Sequence, residues 1–176
     1  MLTSTGIAMA DDFMDDFVAR MENYHSWSDM YLESLKLIKS NDFNGAITIL
    51  KKAEKAAETE KPTSAAQTAE RLGYCLHREK LYAEAESYYR KAMAYCAMDP
   101  VSPITKEQYD SAGPIQAELD RLQKLGNQAF AKATREVLNN VLENYSNLLI
   151  EHSRTKDAED LKNQIRKQQA SLSVYD

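Results

Sequence analysis

Leu81-Tyr82-Ala83-Glu84-Ala85-Glu86-Ser87-Tyr88-Tyr89-Arg90-Lys91-Ala92 is the stretch on which the fold turns. Tyr82, Ala85, Tyr89 and Ala92 recur at three- and four-residue spacing, which places them on one stripe of a helix. Phe43-Asn44-Gly45-Ala46, followed by Leu50 and Ala53, repeats the block with identical offsets. Leu72-Gly73 and Leu76 precede the first block, and Leu142, Tyr145, Ser146 and Leu149 precede Ala158 in a third. Recurrence of a supersecondary unit decides an architecture before any single motif does. Gly73, Ala46, Ala85 and Ala92 are small where two helices must approach closely. Ala46 and Ala85 are 39 residues apart and Ala85 and Ala158 are 73, so the array carries insertions, one read as a degenerate helix pair at 104–130.

Outward from these blocks the chain divides into six segments. Residues 1–10 read as a flexible leader. Residues 11–26 form an acidic amphipathic helix with Phe13, Phe17, Met21 and Tyr24 on one stripe and Asp11, Asp12, Asp15 and Asp16 at the positive end of its dipole. Ser26-Trp27-Ser28-Asp29 reads as a break and restart. Residues 27–62 make unit 1, with helices from about Ser28 to Ser40 and Phe43 to Glu58 turning at Asn41-Asp42. Pro62 is read as its stop and Ser64-Ala65-Ala66-Gln67 as the capping box that starts unit 2, residues 63–98. A linker spans 99–114. Residues 115–172 hold a long helix, with Gly126 as its break or kink, and unit 3. The expected fold is therefore all-α, antiparallel helix pairs stacked behind an extra N-terminal helix.

Composition excludes several functions. The formal charge of -5 lies wholly in positions 1–60, where eleven acidic residues face six basic ones; the remainder balances at sixteen each. No Lys/Arg stripe offers a footprint for phosphates, so nucleic acid is excluded as a partner. No stretch approaches the ~20 apolar residues of a membrane span, and no basic-then-apolar leader marks secretion. A cytoplasmic protein without a membrane partner is expected. Cys75 and Cys96 fall on separate helices and read as reduced core residues. Cys75 and His77, two apart, face different sides of a helix with no second pair, and His25, His77 and His152 lie in three elements without a nucleophile. No catalytic residue, metal or cofactor is expected.

The repeat resembles the tetratricopeptide repeat (TPR) family. Residues 66–97 carry the match best, through Leu72, Gly73, Leu76, Tyr82, Ala85, Tyr89 and Ala92, and 81–92 looks like the repeats of kinesin light chains. Residues 27–58 match less well, with Met30 in place of a large aromatic, Glu33-Ser34 in place of Leu-Gly and Asn41 in place of the turn glycine. The resemblance implies a short right-handed superhelix whose first helices line a concave groove. Carried over position by position, that groove takes Tyr31, Leu32 and Leu35 from unit 1, and Gln67, Glu70, Arg71, Tyr74 and Arg78 from unit 2. Unit 3 adds Asn140, Glu143, Asn144 and Asn147. Family members that clamp a C-terminal carboxylate use a Lys and Asn pair in the first unit; Tyr31 and Leu35 stand there instead.

What the resemblance implies is a non-enzymatic adaptor or scaffold that holds a peptide or partner helix. The alternative is a small acidic TPR chaperone holding a secreted or assembly client, which size and charge permit. The stripe of Phe13, Phe17, Met21 and Tyr24 needs a cover. It is expected to cap the array, plug the groove, or join two copies as a homodimer.

Overall fold

A computed structural model describes residues 26–58, 61–98 and 116–175, with side chains of the last segment described from Asp120. The leader, the stripe of Phe13, Phe17, Met21 and Tyr24, and the 99–114 linker lie outside the described residues. Among the described residues six helices follow one another: α1 (26–39), α2 (Phe43–Glu58), α3 (Pro62–Arg78), α4 (Tyr82–Cys96), α5 (Gln116–Glu151) and α6 (Thr155–Ser171). A 3₁₀ turn, Leu172–Tyr175, closes the described chain, and no strand occurs among the described residues. Neighbours pack in sequence, α2 on α3 on α4, with α3 and α4 both against α5 and α5 against α6. The molecule is an all-α stack of helix pairs.

Three expectations are corrected. Ser26-Trp27-Ser28-Asp29 is not a break, because all four residues are helical. The cause is tertiary: Trp27 is buried against Ala53, Ala57 and Ala65, and its Nε1 donates to Thr68 Oγ1 at 2.9 Å. The helix of unit 2 starts at Pro62 rather than at a capping box, with Lys61 as an extended N-cap that makes no side-chain cap bond. Proline suits the first helical position, where the missing N–H would have had no partner; Ser64 is buried instead. Gly126 does not interrupt α5, which is helical over 36 residues.

The repeat is most visible in its turns. Asn41, Lys80 and Ser153 have φ of 60, 65 and 58°, the left-handed conformation that reverses a helix. Around each, the same bonds recur: Asp42 N to Leu37 O (2.9 Å), Leu81 N to Leu76 O (2.9 Å) and Arg154 N to Leu149 O (2.8 Å). The next helix is then engaged by Ala46, Ala85 and Ala158, whose amides bond Asp42, Leu81 and Arg154 carbonyls. Asp42 adds a cap through Oδ1 to the Gly45 amide at 2.9 Å.

Unit 2 is the packing centre. Leu72, Tyr89, Ala85 and Ala92 have no exposed surface, and the core continues through Leu50, Leu138, Val141, Leu149 and Ile165. The Tyr89 ring lies so close to Gly73 that a Cβ there would stand 2.8 Å from its Cδ1 and Cε1. The same ring stacks on Tyr145 of α5 at 5.4 Å. Cys75 and Cys96 are free and buried, and burial pushes both thiols up to about 12.

Candidate functional site

The first helices of the three pairs are α1, α3 and α5, and one polar cluster joins them. At its centre is Glu70, a carboxylate with 1% of its surface exposed. Its Oε1 accepts from Asn144 Nδ2 of α5 at 3.1 Å, and its Oε2 lies 3.3 Å from Arg71 Nε. The Arg71 guanidinium in turn lies beside the Tyr31 hydroxyl of α1. Tyr31 is held by stacking on Trp27 at 5.2 Å. Burial raises the Glu70 carboxyl above the usual carboxylate range, and Arg71 and Asn144 oppose that shift. Burial likewise raises the Tyr31 hydroxyl.

Of the residues expected in a groove, Tyr31, Glu70, Arg71 and Asn144 are thus brought together. Glu70 cannot serve as a surface contact: it is buried beneath the cluster, where it fixes Arg71 and Asn144. Arg71 keeps a quarter of its side chain exposed, Gln67 and Asn140 are half-buried, and Asn147 is exposed. Tyr74 and Arg78 are drawn to the turn end of the pair, where Tyr74 meets Phe43 edge-on at 6.1 Å and Arg78 stands 5.3 Å over the same ring. Leu35 lies on the outer side of α1, in a shallow groove with Leu32.

On the opposite side, among the second helices α2, α4 and α6, two carboxylates tie neighbouring units. Glu54 of α2 accepts from Tyr88 (3.2 Å) and Lys91 (2.6 Å) of α4. Glu86 of α4 accepts from Arg154 Nη1 (2.6 Å), Arg90 Nη2 (2.7 Å) and the Tyr145 hydroxyl (2.7 Å). The Arg154 bonds, joined by those from Arg90 and Tyr145, hold the Glu86 carboxyl down at about 2 against the effect of burial. Sequence reasoning missed this latch. Its one signal was Glu86 and Arg90 at i and i+4, which by itself means only a solvated helix face.

A cleft of about 340 Å³ lies between α4 and α6, with Tyr145, Leu149 and Leu161 beneath Arg90, Asp157, Asp160 and Gln164. Among the described residues no group of His, Cys, Asp and Glu side chains could hold a metal ion, and no helix is long and apolar enough to cross a membrane.

Compared protein by protein with characterised proteins, the chain matches none. A family model does match: that described as "SNAP: Soluble NSF attachment protein, SNAP", over residues 13–152. It is a family of TPR-like helical adaptors that bind other proteins. The match runs through α1–α5 with the polar cluster inside it, and by it the chain belongs to the soluble NSF attachment protein family.

Proposed function

We propose that the chain is a cytoplasmic, non-catalytic adaptor that holds a partner helix or extended segment against the concave face of α1, α3 and α5. The observation that supports this most is the Glu70 cluster. It spends a buried carboxylate on fixing Arg71 and Asn144, an arrangement that core packing does not require. Arg71 offers a pre-set guanidinium fork, and Gln67, Asn140, Asn144 and Asn147 offer amides that satisfy the backbone and polar side chains of a ligand. Asn144 gives one donor to Glu70 and keeps its carbonyl oxygen. The family's name speaks of NSF attachment, so NSF is the first protein to try. Residues 81–92, similar to kinesin light-chain repeats, belong to a second helix and enter this reading as packing alone. No structural observation favours the acidic-chaperone alternative.

The test is capture of immobilised NSF, alone and with its own partners, by the chain and by an Arg71→Gln/Asn147→Ala variant. Loss of capture by about tenfold or more, with melting unchanged, supports the groove. Capture that survives these changes but falls with Glu84→Ala or Lys91→Ala on α4 sinks it.

A further inference from the structure

Among the described residues the two ends of the stack differ in character. The outward side of α6 is polar, exposing Glu159, Asp160, Asn163, Gln164, Arg166 and Lys167. The outward side of α1 carries a shallow groove of about 570 Å³ lined by Asp29, Leu32, Glu33, Leu35, Lys36 and Lys39, in which Leu32 is 55% exposed. Asp29, Leu32, Lys36 and Lys39 follow one another at spacings of three, four and three, the seam along which one helix packs on another. Trp27, Ser34 and Ile38 point the opposite way into the stack or lie half-buried against it.

The order of charge along that seam is self-complementary. Acids come first, at 29 and 33, and bases last, at 36 and 39, with Leu32 between the two acids and Leu35 between the acids and the bases. Counted from residue 34, Asp29 stands five residues before and Lys39 five after; Leu32 and Lys36 stand two before and two after; Glu33 and Leu35 flank it by one. Glu33 and Lys36 meet within the helix at 3.3 Å, whereas Asp29 and Lys39 have no ion-pair partner among the described residues. A second α1 laid antiparallel about a two-fold axis level with residue 34 sets each Asp29 opposite the other copy's Lys39. The two pairs are then about 15 Å apart along the helix, at ~1.5 Å per residue. The same operation brings each Leu32 beside the other copy's Leu35 and the Lys36 stem. That is the self-matching surface an isologous dimer requires.

We propose that the outer face of α1 is the seat of a second copy of this chain, paired antiparallel through Leu32 and Leu35 and registered by reciprocal Asp29–Lys39 ion pairs. One helix seam is smaller than the ~1,200 Å² of a standard interface, so the dimer forms at tens to hundreds of micromolar. Apart from Leu32 and Leu35, which lie on the outer side of α1, the seam uses none of the residues expected in the groove, and it stands or falls independently of the groove reading.

Sedimentation velocity of the full chain, run from a few micromolar to several hundred, tests it. The mass is expected to climb from 20.0 kDa toward twice that value. Leu32→Glu holds the chain at the monomer mass throughout, with its circular dichroism unchanged. Lys39→Glu, which sets acid against acid, weakens association about tenfold, and adding Asp29→Lys restores it by swapping the pair. A chain that stays monomeric at every concentration overturns the proposal, as does a dimer indifferent to Leu32→Glu or unrescued by the swap. A Leu32→Glu monomer that melts several degrees lower also overturns it, since the chain's own residues then cover the face.

Discussion

Tyr89 shows how a single side chain can be both indispensable and imperfect. Its ring fills the space that Gly73 vacates, while its hydroxyl is buried with no hydrogen-bond partner among the described residues. Gly73→Ala drives a methyl into the ring at 2.8 Å and is expected to destabilise by about 1–3 kcal/mol through overpacking. Tyr89→Phe keeps the ring and removes the orphan oxygen, so it should leave stability within about 1 kcal/mol or raise it. Urea denaturation of both variants checks the pair; a Tyr89→Phe loss as large as that of Gly73→Ala contradicts this account. Leu72→Ala, at a position with no exposed surface, opens a cavity and should lower stability by about 2–5 kcal/mol in the same assay. The core around these residues was legible in the sequence, because the spacing of Leu72, Leu76, Ala85, Tyr89 and Ala92 can be satisfied only by burying one stripe. The burial of Glu70 was not. Its place in a helix face is shared by solvated glutamates, and only the approach of Asn144, 74 residues later, distinguishes it.

Between elements, the decisive contacts join second helices to the turn that follows α5. Glu86 receives Arg154 from beyond that helix, together with Tyr145 from within it. Because the folded carboxyl is held at about 2, below its ordinary 4.5, the latch stabilises fully above pH 4.5 and is lost as pH falls through that interval toward 2. Glu86→Gln should therefore be less stable than the parent by about 1–3 kcal/mol near neutrality, with the gap closing as the pH drops below 4.5. Melting curves at several pH values decide it; a gap that does not change with pH means the latch contributes nothing through charge. Helix ends were less legible than helix existence. Ser26–Asp29 looked like a break because Ser and Asp favour caps, yet burial of Trp27 and its bond to Thr68 outweigh those local preferences. Pro62 is likewise ambiguous in sequence, since proline both ends one helix and opens the next.

At the scale of the molecule, stability is distributed unevenly along α5. Residues 120–126 are exposed on all sides, whereas 130–149 enter the shared core. Hydrogen exchange should be slowest in α3 and in the second half of α5 and fastest at 120–126, a gradient that mass spectrometry resolves by peptide. Equal protection along α5 would mean that the overhang is covered. The three reversals at Asn41, Lys80 and Ser153 point to something else, the room left for improvement. Each holds a side chain on a left-handed backbone that glycine adopts without strain. They belong to separate turns and share no partner, so their substitutions should add. Asn41→Gly, Lys80→Gly and Ser153→Gly are each expected to gain up to about 1 kcal/mol, least at Asn41, where asparagine already tolerates the geometry. A stepwise rise in melting temperature with each glycine would show that this chain has been left below the stability its own architecture allows, at its bends rather than in its interior.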